Sequence, residues 1–386
     1  MLSNVRLKKF LKTVVFKPLT VVNKMIPKRD DYIVLYIASM GIRHSLKPLL
    51  DYLIENGYNK KYHIICGIED MKYKGKDFEN VTYMTKPQAM RYFLRAKHVY
   101  YTAGQIPIKP SKQQRVIHLT HGAVYYKAMG AMSPINNGDE FFFNYIITTS
   151  EYYRPILAKS YLCSEDNVAI CNEPVTDMFY RKDTPKYDFG NVSKVLVWIP
   201  TFRQSDSLGY NNSSADKALL IFDESDYSAL NDYLKERNMI LIVKLHPAQN
   251  ISNYHLESFS NLQIYTHGKF IRKGYEIYNL MKQSDALIGD YSSASLQYLL
   301  LNRPVSFVVP DLEDYQEHRG FIYENPLDFM PGHIIRTKEQ FYQFIDDMAE
   351  GKDPYREQRE KVRDLAHKYQ DGNACKRVLE LGEVKL

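Results

Sequence analysis

Short runs that are apolar at almost every position recur along this chain, each followed by a segment of helical character. A strand buried on one face alternates apolar with polar residues, whereas a strand covered on both faces does not. "YIVLYIAS" (Tyr32–Ser39), "KYHIICG", "VYYTAG", "RVIHLTHG" and "YIITTS" (Tyr145–Ser150) therefore read as strands of a parallel sheet with helices on both sides. The connecting "SLKPLLDYLIENG" (Ser45–Gly57), with its terminal glycine, and "PQAMRYFLRAKH" (Pro87–His98), with proline in its first turn, supply the helices.

The same alternation returns after a polar stretch bearing Pro and Gly, Asp183–Ser193. Its strands are "KVLVWIP" (Lys194–Pro200), "MILIVKLHP" (Met239–Pro247), "LQIYTH", "ALIGD" (Ala286–Asp290) and "PVSFVVP" (Pro304–Pro310). A chain of 386 residues suits two such domains. The expected division is residues 30–185, residues 190–365, and a C-terminal helix at 366–386 that packs back on the first domain. Two parallel-sheet domains in series predict a cleft, with functional residues just beyond the strand ends.

The strand ends carry chemistry. "ALIGD" runs into "YSSASLQYLLL", so Ser292 or Ser293 is placed to cap a helix and the other to meet an anion, most simply a phosphate. Asp290 would repel a phosphate at contact distance and is assigned to orienting a neighbour or a ligand hydroxyl. "IPTFR" puts Thr201 and Arg203 at a strand terminus, and "VKLHP" does the same for Lys244 and His246. "HLTHG" puts His121 at a strand end in the first domain, where Gly122 lets the backbone turn. Any one of these residues reads as ordinary packing. A His, a Lys, an Arg and paired serines at one edge of several strands describe a cationic cleft with a base near neutral pH. That set suits transfer chemistry on a phosphate-bearing donor. The chain has no GxxxxGK[ST] phosphate loop, no HExxH and no CxxC, so neither a P-loop nucleotide site nor a metal cage is expected.

Charge is uneven. Residues 1–29 hold eight of the 51 Lys and Arg and no acid, which leaves 43 basic against 45 acidic residues in the remainder. A near-neutral body argues against general nucleic-acid binding. In the basic segment Leu7, Phe10, Leu11, Val14 and Val15 share one helical face, and Pro18 is expected to stop that helix. A basic amphipathic helix docks on an anionic membrane surface. The apolar runs are too short to span a bilayer, and the start lacks the pattern of a secretory signal. The four cysteines are scattered and read as free thiols in a reducing compartment.

Several stretches together resemble the CDP-glycerol glycerophosphotransferase family of teichoic-acid and capsule synthesis. They are "THGAVYYKAMG" (Thr120–Gly130), "WIPTFR", "IVKLHP", the long run Tyr278–Phe321 and "DGNACKRVLELG" (Asp371–Gly382). The resemblance implies an α/β GT-B fold, with two Rossmann-like domains facing a cleft. It implies a CDP-alditol donor, CDP-glycerol or CDP-ribitol, held mainly by the second domain. A lipid-linked acceptor, attack of its hydroxyl on the phosphorus bearing the alditol, and release of CMP follow from it. It implies no cofactor or metal, and a peripheral position on the cytoplasmic face of the membrane. Carried over position by position, His121 resembles the base. His246 is assigned to the donor phosphates, and Thr201, Arg203, Lys244, Asp290, Ser292, Ser293 and Arg319 to donor binding. Gly122 and Lys127 fall on the acceptor side. The family pattern reads like WHGTPLKxxG. Here Thr120 precedes His121, and the following run is one residue longer. In "CNEPVTDMF" Pro174 and Asp177 remain, but Val175 stands where the family has arginine. A GT-B transferase of nucleotide sugars and a non-catalytic membrane-surface protein are the competing readings.

Overall fold

The structure is a computed structural model describing residues 16–386, except 38–40, 103–105, 121, 123–124, 136–139, 253 and 258. The chain divides into two compact units. One comprises Met1–Ala123, Gly138–Tyr180 and Asp371–Leu386; the other comprises Val124–Asn137 and Arg181–Gln370.

The first unit holds a parallel sheet of β1 (Arg29–Ile37), β2 (His63–Ile68), β3 (Val81–Thr85), β4 (Ala96–Thr102), β5 (Arg115–His118), β6 (Tyr145–Thr148) and β7 (Val168–Ile170). Their order is β3-β2-β1-β4-β5-β6-β7, so the winding reverses between β1 and β4. The register sets Val34 beside both Ile65 and Val99. β1 shows why its sequence is apolar throughout. Ile33, Leu35 and Ile37 enter the core on one face, and Val34 and Tyr36 enter the core on the other. The first face is covered by α2 (Leu46–Glu55) and by the C-terminal helix α12 (Ala374–Leu381), whose Cys375, Val378 and Leu379 join it. The second is covered by α3 (Lys86–Phe93), through Ala89 and Phe93. Each buried Leu or Ile contributes about 1.5–3 kcal/mol.

The second unit repeats the plan with β8 (Lys194–Trp198), β9 (Met239–Lys244), β10 (Leu262–Tyr265), β11 (Ala286–Gly289), β12 (Val305–Val308) and β13 (His333–Ile335). The order is β10-β9-β8-β11-β12-β13, all parallel, with the reversal between β8 and β11. Of all these strands, β3, β7 and β13 are the ones not read from the sequence. Each is five residues or shorter and each lies at the edge of its sheet, where one side lacks a neighbour and the burial signal fades.

The N-terminal segment departs from expectation. The apolar face at Leu7–Val15 lies outside the described residues. Pro18 does not stop a helix. It sits in the first turn of α1 (Lys17–Met25), where its missing N–H goes unneeded. Asn23 is fully buried and donates to the Lys109 carbonyl at 3.0 Å and to Gln114 Oε1 at 2.7 Å. Lys28, counted with the surface charges, turns inward and donates to the carbonyls of Asn23 and Leu94, both at 2.6 Å. Burial pushes its ammonium down to about 8.

Of the buried histidines among the described residues, two are pushed furthest toward the neutral form. In the first unit His118 stacks on Tyr101 at 4.4 Å and also meets Phe141, Phe143 and Tyr161. In the second unit His367 packs beside α8 (Ser293–Tyr298), its Nε2 at 2.9 Å from the Leu296 carbonyl. Burial pushes the first down to about 3 and the second to about 4. A histidine in the unfolded chain titrates near 6.5, so between that value and 4 the unfolded state binds more protons and stability falls as pH falls. Each ring contributes roughly 2 kcal/mol of destabilisation by pH 5. The urea midpoint at pH 5 is expected well below that at pH 7.5, and His118→Phe should shrink the difference. Equal midpoints for the wild type would contradict the neutral burial of these rings.

Candidate functional site

The reversal between β8 and β11 is where the second unit gathers its polar residues. Asp290 follows β11 directly and Thr201 lies three residues beyond β8. Asp290 Oδ2 accepts from the Thr201 N–H and hydroxyl, both at 2.8 Å, and from Arg203 Nη1 at 2.9 Å. A Cβ on Gly289, the last residue of β11, would meet the Ser295 hydroxyl.

Arg203 is the hub. Its side chain is 1% exposed. Nε donates to Asp311 Oδ2 at 2.6 Å, Nη2 to Asp311 Oδ1 at 3.2 Å, and Nη1 also to the Thr201 carbonyl at 3.0 Å. The guanidinium carbon lies 5.1 Å from the ring centres of Tyr291 and of Tyr315, so two aromatic rings flank the ion. Ser213 and Tyr291 donate further hydrogen bonds to Asp311. Burial alone would lower the arginine pKa, but Asp290 and Asp311 raise it instead. Burial would raise Asp311, and the charge and hydrogen bonds of Arg203 bring it below the usual carboxylate range. Arg203 was assigned to the donor. Its guanidinium is instead committed to protein partners, because a buried cation needs fixed counter-charges.

The loop after β9 carries His246. The Ala248 N–H donates to His246 Nδ1 at 3.0 Å, which leaves the proton of the neutral ring on Nε2. The ring lies 5.1 Å from Phe202 and is half-buried. It lines a cavity of about 270 Å³ with Leu245, Pro247, Gln249, Thr266 and Gly268. Lys244, the last residue of β9, donates to the Leu245 carbonyl at 3.4 Å and lies 5.7 Å from the Phe270 ring. Of the paired serines, Ser292 is the cap of α8, its hydroxyl accepting from the Ala294 N–H at 3.3 Å. Ser293 is the first helical residue and is half-exposed.

Arg319 ends α9 (Leu312–Arg319) and donates through Nη1 to the Ala128 carbonyl at 2.5 Å and to Ser133 Oγ at 2.7 Å. Those partners belong to the segment carrying Lys127, which was expected in the first domain and is part of the second unit. The Ala128 N–H donates to the Gly320 carbonyl, the Ile322 N–H to the Tyr126 carbonyl, and the Tyr126 hydroxyl to the Phe329 carbonyl. These bonds attach the segment to the chain after α9.

His121 lies outside the described residues. Beside it Thr120 is buried at φ 55°, a left-handed conformation that a β-branched residue rarely adopts, and Gly122 is at φ 115°. The Thr102 hydroxyl donates to the Thr120 carbonyl. In the same unit Asp177 accepts from the N–H groups of Ala374 at 2.9 Å and Cys375 at 2.8 Å, so it caps α12. Val175, in the arginine position, is 4% exposed and packs as an apolar side chain.

Sequence reasoning gave no role to Asp311, Tyr291, Tyr315 or Gln249, whose Oε1 accepts from the Arg203 N–H. The signal for two of them was present in D-x-x-x-Y, Asp311 to Tyr315, which brings a carboxylate and a ring one helical turn apart.

Two all-parallel sheets wound in this order, each in its own compact unit, define the GT-B class of α/β fold. The wall teichoic acid polymerase TagF superposes with a TM-score of 0.69 at 17% identity, over 92% of this chain and 89% of that one. A histidine variant of TagF soaked with CDPG gives 0.71 over 98% and 97%, also at 17% identity. Within that class, the family model for CDP-glycerol:poly(glycerophosphate) glycerophosphotransferases matches residues 19–381, and the chain belongs to this family. It is 31% identical over 247 residues to the teichoic acid glycerol-phosphate primase of Bacillus subtilis (strain 168), covering 62% of this chain and 58% of the relative. It is 30% identical over 261 residues to the teichoic acid poly(ribitol-phosphate) polymerase of Bacillus spizizenii, covering 62% and 39%. The chain thus spans about half the length of the curated relatives it matches.

The buried ion group carries a prediction. Arg203→Ala leaves Asp290 and Asp311 buried without their cation and is expected to cost about 3–5 kcal/mol. Melting of the variant checks this. A wild-type melting temperature combined with lost ligand binding would instead make Arg203 a ligand contact.

Proposed function

We propose that this chain transfers glycerol phosphate, or a related alditol phosphate, from a CDP-alditol to a lipid-linked glycan or polymer acceptor. The acceptor hydroxyl oxygen forms the new bond to the phosphorus bearing the alditol. The bond from that phosphorus to the bridging oxygen breaks, and CMP leaves with it. The hydroxyl proton passes to a base, a role assigned from the sequence to His121.

The observation that carries the reading is His246. It sits at the carboxyl end of β9, with Nδ1 engaged by the Ala248 N–H. A ring held this way offers Nε2–H as a donor, which suits a phosphate oxygen gaining charge as CMP departs. It is poorly suited to removing a proton there. In this division of labour His246 serves the donor phosphates and His121 the acceptor. The relatives' names include both glycerol-phosphate and ribitol-phosphate enzymes of teichoic acid synthesis, which supports either alditol as cargo. Product mass from CDP-glycerol and CDP-ribitol on a lipid-linked acceptor, in chelator-treated enzyme, tests the reaction. His246→Ala is expected to reduce CMP release by about 100-fold or more, the scale of losing one transition-state donor. Wild-type turnover in that variant would remove the assigned role. A nucleotide sugar that stabilises the protein more than any CDP-alditol would favour glycosyl transfer instead.

The acceptor calls for a membrane surface, and α1 supplies a face for it. Val21 and Met25 on this helix are 60% and 77% exposed, and Lys17 and Lys24 lie on the same helix. No described helix is long and apolar enough to cross a membrane. Docking as a peripheral protein through α1 and the basic residues before it fits these facts. Val21→Glu together with Met25→Glu should shift the protein from anionic vesicles to the supernatant in co-sedimentation. Undiminished binding by this variant would exclude α1 as the docking face.

A further inference from the structure

Three cations expected at the donor site are already engaged within the protein. Arg203 is sealed against Asp290 and Asp311. Arg319 holds the Ala128 carbonyl and the Ser133 hydroxyl. Lys244 donates to its neighbouring carbonyl. Lys127 is different. Its main chain pairs with Phe321 in an antiparallel bridge, flanked by the hydrogen bonds of Ala128 to Gly320 and of Ile322 to Tyr126. The backbone is therefore fixed in the second unit. The ammonium has no hydrogen bond or ion pair among the described residues, although the residue is only partly exposed.

Its surroundings favour an anion. Burial pushes the ammonium down to about 8; Asp290 acts against that shift, and Arg319 and Arg203 add to it. Lys127, Arg203 and Arg319 make three cations against two carboxylates, Asp290 and Asp311. A desolvated cation crowded by like charge is stabilised when an anion arrives. Phe321, bridged to Lys127, packs at 5.1 Å on Tyr291 and 5.6 Å on Tyr315, the two rings that flank Arg203, so this segment lies beside the sheet reversal, where open α/β sheets bind their ligands.

We propose that Lys127 is a donor-binding residue whose ammonium receives the diphosphate of the CDP-alditol. This moves it from the acceptor side, where its sequence position placed it, to the donor. It explains why a loop that continues from the His121 motif is attached to the donor-binding unit. The inference rests on the CDP-alditol reading above.

The test is calorimetric titration of the full chain with CDP-glycerol and, in parallel, with cytidine, which lacks phosphates, alongside steady-state kinetics. Lys127→Met is expected to weaken CDP-glycerol binding about tenfold or more and to raise KM more than it lowers kcat, while cytidine affinity changes by less than about twofold. Lys127→Arg should restore most of the CDP-glycerol affinity, since the charge is kept. Unchanged CDP-glycerol affinity in Lys127→Met overturns the inference alone. So does equal loss of cytidine and CDP-glycerol binding, or failure of the arginine variant to recover, because either marks a structural role in holding the loop. Absence of CDP-glycerol binding by the wild type overturns the inference and the donor assignment together.

Discussion

The second unit depends on placing one guanidinium in an interior where water cannot reach it. Arg203 comes from the loop after β8, Asp290 from the end of β11 and Asp311 from the loop after β12, so a single ion holds three strand-end loops in register. An isolated buried charge costs several kcal/mol, and only fixed counter-charges and saturated hydrogen bonds offset this. The flanking Tyr291 and Tyr315 rings and the hydroxyls of Thr201 and Ser213 complete that saturation. A loop edge held this rigidly can present His246 and the Ser292–Ser293 turn in fixed positions. Rigidity of that kind is what transfer chemistry at a preorganised site requires.

The chain also crosses between units for definable reasons. After Gly122, the residues around Tyr126 and Ala128 bond to Gly320, Ile322 and Phe329, and so join the second unit. At the far end, α12 returns to the first unit. There the Asp177 carboxylate satisfies two of its first N–H groups, and Cys375, Val378 and Leu379 fill the core beside α2. Asp177 itself is raised by burial, with these hydrogen bonds pulling the other way, which marks it as an enclosed cap rather than a surface charge. The two family motifs at Asp177 and at Asp371–Gly382 are therefore halves of one structural contact. Val175, where the family has arginine, adds apolar packing to the same turn.

Much of the fold was legible because burial on both sheet faces leaves a plain mark in sequence. Every interior strand of both sheets gives an apolar run. Three of the four edge strands, β3, β7 and β13, were not read, since a strand of five residues or fewer with one open side gives a weak signal, whereas the fourth, β10, was legible in "LQIYTH". Site residues were legible where a strand ended in a polar group beside a proline or glycine, as at His246, Thr201 and Asp290. Pro18 was not legible, because a proline within an apolar, basic stretch reads equally as the end of one helix or the first turn of the next.

The sequence by itself determined two parallel α/β sheets, the strand ends that carry chemistry, and the family, because these follow from local periodicity and short motifs. Only the tertiary structure decided what each charge does. Arg203 became an internal ion held by Asp290 and Asp311, Lys28 an inward tether, and Arg319 a clamp on the Lys127 loop. The physical reason is that the role of a charged side chain is set by which opposite charges and carbonyls fold within about 3 Å of it. Those partners lie up to 191 residues away in the chain, as for Arg319 and Ala128, a separation no local pattern encodes.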